Sequence, residues 1–306
     1  MKKKVLILAG GFSREREISL KTAKAVNLEL KKKKYKTIIC EPDGKLIKSI
    51  NKFKPNVIFN ALHGRYGEDG YIQTLLENEK IKYTHSGPLA SSIAIDKEIS
   101  KKIFVKNKIL TPKYIKFVFE KNLNKNEIIK KVENKIGFPA VIKPFNEGSS
   151  VNVYICSKYN FIKNLKKLSN YKEIMIEKYI PGREIQVAIL GNRKLGAIEL
   201  KPKRKFYDYK AKYNMNAKTE HIIPVILEKK HMKKILNIAF KAHKIVGCRG
   251  VTRSDFKFYN NKFYLLEINT QPGMTALSLV PEIARFNNIS FFELIEWILN
   301  DASINR

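Results

Sequence analysis

The first hundred residues alternate short apolar runs with stretches in which apolar positions recur at helical spacing. Val5 to Ala9 reads as a buried strand. A glycine turn follows, and Leu20, Ala23, Val26 and Leu30 then fall on one face of a helix for which Ser19 is the expected N-cap. Further strands are expected at Thr37 to Cys40, Val57 to Leu62 and Ile81 to Thr84. Strand alternating with helix predicts a doubly wound parallel sheet. From Pro112 the pattern changes to Lys- and aromatic-rich strands in hairpins, with helices near Glu127 to Lys135 and Phe161 to Leu168, which is an α+β arrangement. A third region starts near Pro181-Gly182. It has strands at Ile185 to Leu190 and Ala197 to Leu200, a helix from about Lys229 to Val246, and a last hairpin followed by helices. No internal repeat or low-complexity linker interrupts the pattern.

Composition supports a globular chain: 306 residues, 44% of them hydrophobic, provide ample core for about two domains. No run approaches the roughly 18 to 20 apolar residues of a membrane span, and the apolar run after Met1-Lys-Lys-Lys is too short for a secretory signal. Neither membrane insertion nor export is therefore expected. Cys40, Cys156 and Cys248 are odd in number and far apart, with no Cys-x-x-Cys pair, so a disulfide framework and a zinc site are both disfavoured and a cytoplasmic location fits. The formal charge of +32 would suit a nucleic-acid partner if the cations clustered. They do not. Only ten of the sixty basic residues are Arg, and the lysines spread along the whole chain; the longest run, Lys31 to Lys34, ends a helix, where cations suit the dipole. Nucleic acid is not an expected partner, whereas a small anionic substrate gains from the same field.

Four stretches carry candidate chemistry. Gly10 to Glu17 leaves a strand and opens a helix, where open α/β sheets bind ligands, but it lacks the glycine patterns of dinucleotide and P-loop sites. Glu15 and Glu17 would repel a phosphate; they suit an ammonium group, or they serve only the helix dipole. Asn60 to Gly70 is a glycine-rich loop after another strand, with His63 as its polar contact or as a structural histidine. Val141 to Val151 is strand, Gly/Ser loop, strand, with Lys143 as a point charge for phosphate and the loop as either a lid or a plain turn. In the hairpin from Arg253 to Asn269, Glu267 and Asn269 are two apart and share a face. Asp255 joins them if the loop has three residues, Tyr259-Asn260-Asn261; a two-residue loop, Asn260-Asn261, would set it opposite Leu266. Three hard oxygen donors among apolar flanking residues suit a magnesium site with nucleotide phosphate as a further ligand, the alternative being a surface charge network.

Taken together, the motifs resemble the D-alanine:D-alanine ligase family of the ATP-grasp superfamily across nearly the whole chain. They are Gly10-Gly-x-Ser-x-Glu-x-Glu-x-Ser19, Leu62-His-Gly-x-x-Gly-Glu-Asp-Gly70, Asp96-Lys97, Lys143-Pro-x-x-Glu-Gly-Ser-Ser150, Tyr207-Asp-Tyr-x-Ala-Lys-Tyr213, Gly250-x-x-Arg-x-Asp255, Glu267-x-Asn-Thr-x-Pro-Gly-Met-Thr275 and Ser278-Leu-Val-Pro281. Each is weak alone; eight in order are specific. The resemblance implies an ATP-grasp fold: an N-terminal doubly wound domain over residues 1–97, a central α+β subdomain over 98–182 and a C-terminal one over 183–306, with ATP between the last two. It implies Lys97, Lys143 and Lys212 on the phosphates, Glu177, Lys178 and the Ile180 backbone around the adenine, Glu184 on the ribose, and Phe206 as a further ATP contact. Asp255, Glu267 and Asn269 would carry two Mg²⁺ or Mn²⁺. Glu15, linked through Ser149 to Tyr213 and with His63 nearby, would hold the first D-alanine. Arg253 and Gly273 would stabilise an oxyanion, and Ser278 and Leu279 the carboxylate of the second D-alanine. The implied reaction passes through a D-alanyl phosphate to a dipeptide for peptidoglycan, in a cytoplasmic homodimer. A neutral Tyr213 favours an amine over a hydroxy acid as second substrate. Two departures are small: Lys210 stands where Glu is common, and Ile95 where Met is common.

Overall fold

The computed structural model describes residues 3–120, 124–148, 151–201, 219–275 and 278–305. Within it, β1 (Lys4–Leu8), β2 (Lys36–Cys40) and β3 (Val57–Asn60) form a parallel sheet in the order β2-β1-β3. Alternate residues of β1 feed two cores, which is why the strand reads as an unbroken apolar run. Val5 and Ile7 meet Ala23, Val26 and Leu30 of α1 (Arg16–Lys32), while Leu6 and Leu8 meet Leu46 and Ile50 of α2 (Leu46–Phe53) and Leu76 of α3 (Tyr71–Asn78). With helices on both faces the sheet is doubly wound.

Two local expectations need correction. Helix α1 begins at Arg16, so Ser19 is a buried helical residue rather than the N-cap; its hydroxyl accepts the Gly10 N–H at 2.8 Å and ties the glycine turn to the helix. Residues 81–84 do not form a strand. Tyr83 makes isolated bridges to Ile58 and Ser303 instead, its ring wholly buried and its hydroxyl donating to Glu77 at 2.7 Å.

Helices α4 (Pro88–Ile95) and α5 (Lys97–Lys106) lead to the central sheet, β4 (Tyr114–Val118), β5 (Ala140–Lys143), β6 (Tyr154–Cys156) and β7 (Glu173–Lys178), antiparallel in the order β4-β7-β5-β6. Asp96 caps α5 by accepting from Glu98 N at 2.8 Å and Ile99 N at 3.0 Å. Strand alternation then does two jobs. Ile142, Ile174 and Ile176 face α6 (Lys125–Lys135) and α7 (Phe161–Lys166), leaving Val141, Lys143 and Glu177 on the opposite face.

The C-terminal sheet comprises β8 (Arg183–Leu190), β9 (Arg193–Lys201), β10 (Glu220–Ile222), β11 (Val251–Tyr259) and β12 (Lys262–Asn269), in the order β10-β9-β8-β11-β12. Helix α8 (Lys229–Ile245) covers one face. On the other, α9 (Leu279–Phe286) and α10 (Phe291–Asp301) place Ile283, Ile295 and Ile298 in the same core as Val5 and Ile7 of β1, so the first and last parts of the chain are packed as one body.

The β11–β12 hairpin reaches the expected arrangement by another route. Its loop has two residues, since Tyr259 pairs with Lys262 and both Asn260 (φ 46) and Asn261 (φ 56) are left-handed, as a two-residue hairpin turn requires. Parity is restored by a bulge: Asp255 pairs with Glu267 and Phe256 with Leu265, which leaves Leu266 as the extra residue. Arg253 pairs with Asn269, so Arg253, Asp255, Glu267 and Asn269 share one face.

Candidate active site

Where the three sheets converge there are two adjoining cavities. They share Lys97, Glu147 and Glu267. Glu15, His63, Arg253, Asn269 and Gly273 line the first; Lys143, Glu177, Lys178, Ile180, Glu184 and Asp255 line the second. Most of the residues singled out from sequence thus divide into two groups, one around each cavity.

The first cavity is built on glycine. Gly64 (φ 69) and Gly148 each lie so close to Glu15 that a Cβ at either would stand 3.0 Å from Glu15 Oε2, so the carboxylate is confined between two backbone segments. Ser13 sets the turn before it, donating to His63 O at 2.6 Å and accepting from Glu15 N at 3.1 Å. His63 is buried, with Nδ1 3.0 Å from Glu68 Oε1 and Nε2 3.3 Å from Thr22 Oγ1. Burial alone would lower its pKa, but the Glu68 carboxylate, helped by Glu15, outweighs burial and raises it. A Cβ on Gly273 would stand 2.9 Å from Ser278 Oγ and 3.9 Å from His63 Nε2, which places these three together. Ser278 accepts Thr275 N at 2.9 Å and precedes α9; the Leu279 side chain is in the core, so only its backbone faces the turn.

The second cavity is dominated by ion pairs. Lys143 donates to Glu177 Oε1 at 2.5 Å, and Lys257 to Glu184 Oε2 at 2.9 Å across the β8–β11 ladder. Glu177 is nine-tenths buried or more, and burial would raise its pKa; Lys101 and Lys143 reverse this and hold it below the usual carboxylate range. At the junction, Lys97 donates to Glu147 O at 2.6 Å and lies 3.6 Å from Glu267 Oε2. Burial lowers its pKa, and the attraction of Glu267 opposes the shift. Arg253 grips Asp255 by Nε to Oδ1 at 2.7 Å and Nη2 to Oδ2 at 3.0 Å, and Asn269 Oδ1 accepts Gln271 N at 2.9 Å.

Residues 103–300 match the family model for the D-ala D-ala ligase C-terminus. Over 306 residues, all of both chains, the sequence is 69% identical to the D-alanine–D-alanine ligase of Pelagibacter ubique strain HTCC1062. The chain belongs to the D-alanine–D-alanine ligase family. A second family member, from Wolbachia pipientis wMel, is 45% identical over 304 residues, covering 97% of this chain and 94% of its own. Two solved structures of the D-alanine–D-alanine ligase of Bacillus anthracis superpose over 98% of this chain and 97% of theirs. One, complexed with ATP, has a TM-score of 0.83 at 30% identity; the other has 0.85 at 33%. The ATP-grasp fold expected from the motifs is thereby established.

Ser149, Phe206, Lys212 and Tyr213 lie outside the described residues. Four residues in or behind the cavity walls carry no role from sequence alone. Glu68 and Glu147 sat unremarked within motifs, and Lys257 is marked only by its cross-strand register with Glu184. Lys101 could have been found from its spacing, four residues beyond Lys97 on the same helix face.

Proposed function

We propose that this chain joins two D-alanines to D-alanyl-D-alanine with conversion of ATP to ADP and phosphate. The junction of the two cavities at Lys97, Glu147 and Glu267 supports this reading, because a nucleotide in one cavity and an amino acid in the other would meet there, terminal phosphate to carboxylate. A carboxylate is a poor electrophile for an amine. Its oxygen attacks the γ-phosphorus, ADP leaves, and an acyl-phosphate forms; the deprotonated amine of the second D-alanine then adds to the carbonyl and phosphate departs.

The residues divide this work. Glu177, Lys178 and Ile180 bind the base, Glu184 the ribose, and Lys143 and Lys97 the phosphates, with Phe206 and Lys212 assigned to the same nucleotide by family resemblance. Glu15 takes the ammonium of the first D-alanine, and Ser149 and Tyr213 are assigned to its support. Arg253 and the Gly273 N–H stabilise the charge on the tetrahedral oxygen. Ser278 and the Leu279 backbone bind the second carboxylate, and His63, fixed by Glu68 and Thr22, packs beside both.

Asp255, Glu267 and Asn269 offer two carboxylates and an amide oxygen in cross-strand register, a donor set that fits magnesium or manganese. We assign two such ions to them, where they would neutralise charge on the β- and γ-phosphates. Asp255 and Glu267 now pair with Arg253 and Lys97, so these cations hold the carboxylates apart until phosphate replaces them as partner.

Division at residues 97 and 182 accords with the three sheets, and a cytoplasmic homodimer is the assembly we assign. No helix among the described residues is long and apolar enough to cross a membrane. Phosphate release tests the reading: with ATP and magnesium it should require D-alanine, match dipeptide one for one, and fall to background with L-alanine. Release that ignores the configuration of alanine would reject it. The ester formed with D-lactate is not favoured.

A further inference from the structure

Among the described residues four lysines, Lys97, Lys143, Lys178 and Lys257, line the nucleotide cavity, and a fifth, Lys101, lies behind its wall. Lys101 follows Lys97 by one helical turn on α5 but lines neither cavity, and it is 0% exposed. Its Nζ donates to Thr111 Oγ1 at 2.6 Å, lies 3.0 Å from Glu177 Oε2, and stands 6.0 Å from the centroid of the Tyr114 ring. Glu177 thus lies between two cations, Lys101 behind it and Lys143, on its Oε1, in front. A buried ammonium is costly: burial pulls Lys101 down to about 8 in pKa, although Glu177 keeps it protonated at neutral pH. An apolar side chain would fill the same space without that cost, so the charge calls for a reason.

We infer that Lys101 is a positioning residue for the polyphosphate of the nucleotide: it neutralises Glu177 from behind and so leaves the Lys143 ammonium in surplus for phosphate. The inference rests on the nucleotide reading above. Lys101, Lys143 and Glu177 together carry one net positive charge. Without Lys101 they carry none, because Glu177 claims Lys143 for itself. Without both Lys101 and Glu177 the surplus returns. Charges a few ångströms apart in such a site alter affinity by an order of magnitude or more.

Calorimetric titration with Mg-ATP and, separately, with adenosine tests the inference on the unmodified chain, Lys101→Met and Lys101→Met/Glu177→Gln. Lys101→Met should weaken ATP binding about tenfold or more and leave adenosine within about twofold, since adenosine carries no phosphate. The double variant also loses Glu177 from the base site, which weakens ATP and adenosine alike, so its ratio of ATP to adenosine affinity should return to within about threefold of that of the unmodified chain. It also carries the test if Lys101→Met does not fold, because it leaves no unpaired buried carboxylate. Equal weakening of ATP and adenosine in Lys101→Met, unchanged ATP affinity in that variant, or a double variant whose ATP-to-adenosine ratio stays tenfold low would each overturn the inference. An unmodified chain that binds no ATP would remove the nucleotide reading and this inference with it.

Discussion

Glu267 is the residue on which most of the site depends, because it lines both cavities and pairs with Lys97. Glu267→Gln keeps its volume and removes one charge. Ligase activity should fall about a hundredfold or more, most steeply at limiting magnesium, while the unfolding midpoint moves by less than roughly 2 °C. Unimpaired turnover at limiting magnesium would refute the metal assignment. A second residue reports on the core. His243 on α8 is buried, with Nδ1 2.8 Å from Thr252 Oγ1, and burial pulls its pKa to about 4 from the ordinary 6.5. The unfolded chain therefore binds a proton that the folded chain refuses between those values. The neutral imidazole's contribution, on the order of 3 kcal/mol, is intact above pH ~6.5 and is lost as pH falls toward ~4. Unfolding midpoints followed over that interval should drop less in His243→Gln; equal slopes in the two proteins would contradict the assignment.

At the scale of elements, the β11–β12 hairpin shows what a pattern can and cannot tell. Alternation put Glu267 and Asn269 on one face, and the need for Asp255 beside them was correctly inferred, but the parity was assigned to the loop when a bulge supplies it. A bulge leaves no composition signal here: Leu266 is as apolar as its neighbours. Ser19 misled for a related reason, since a small polar residue near a helix start reads as a cap, whereas its partner, the Gly10 N–H, lies nine residues back. Ile81 to Thr84 alternates as a strand would, but only Tyr83 pairs there, by isolated bridges to Ile58 and Ser303. By contrast, β1, β8 and α8 were legible because burial on one or both faces writes a strict period into the sequence. Charged contacts between neighbouring strands, such as Arg183 with Glu199, leave no such period. The two-residue turn makes a direct prediction. Asn261→Val forces a β-branched side chain into left-handed backbone and should cost about 1–2 kcal/mol, whereas Asn261→Gly should cost nothing. Thermal unfolding of the pair decides it, and a Val variant as stable as the Gly variant would show that the turn is not left-handed in solution.

For the whole molecule, the charge of +32 belongs mostly to the surface, but its field extends to the cavities. ATP is a polyanion and D-alanine a zwitterion, so salt should separate them: raising ionic strength from about 0.05 to 0.2 M should raise KM for ATP several-fold and KM for D-alanine less than about twofold. Parallel rises in both would mean that the field has no part in binding. The shared core of β1, α9 and α10 makes the first and last parts of the chain one body, against which the central sheet presents Lys143 and Glu177. That arrangement matters only if the phosphate of ATP reaches the carboxylate of D-alanine. The most direct measurement is the fate of oxygen when D-alanine labelled with ¹⁸O in its carboxylate is turned over with unlabelled ATP. Attack of the carboxylate on the γ-phosphorus requires one ¹⁸O in each inorganic phosphate released, whereas unlabelled phosphate accompanying dipeptide would contradict the acyl-phosphate route.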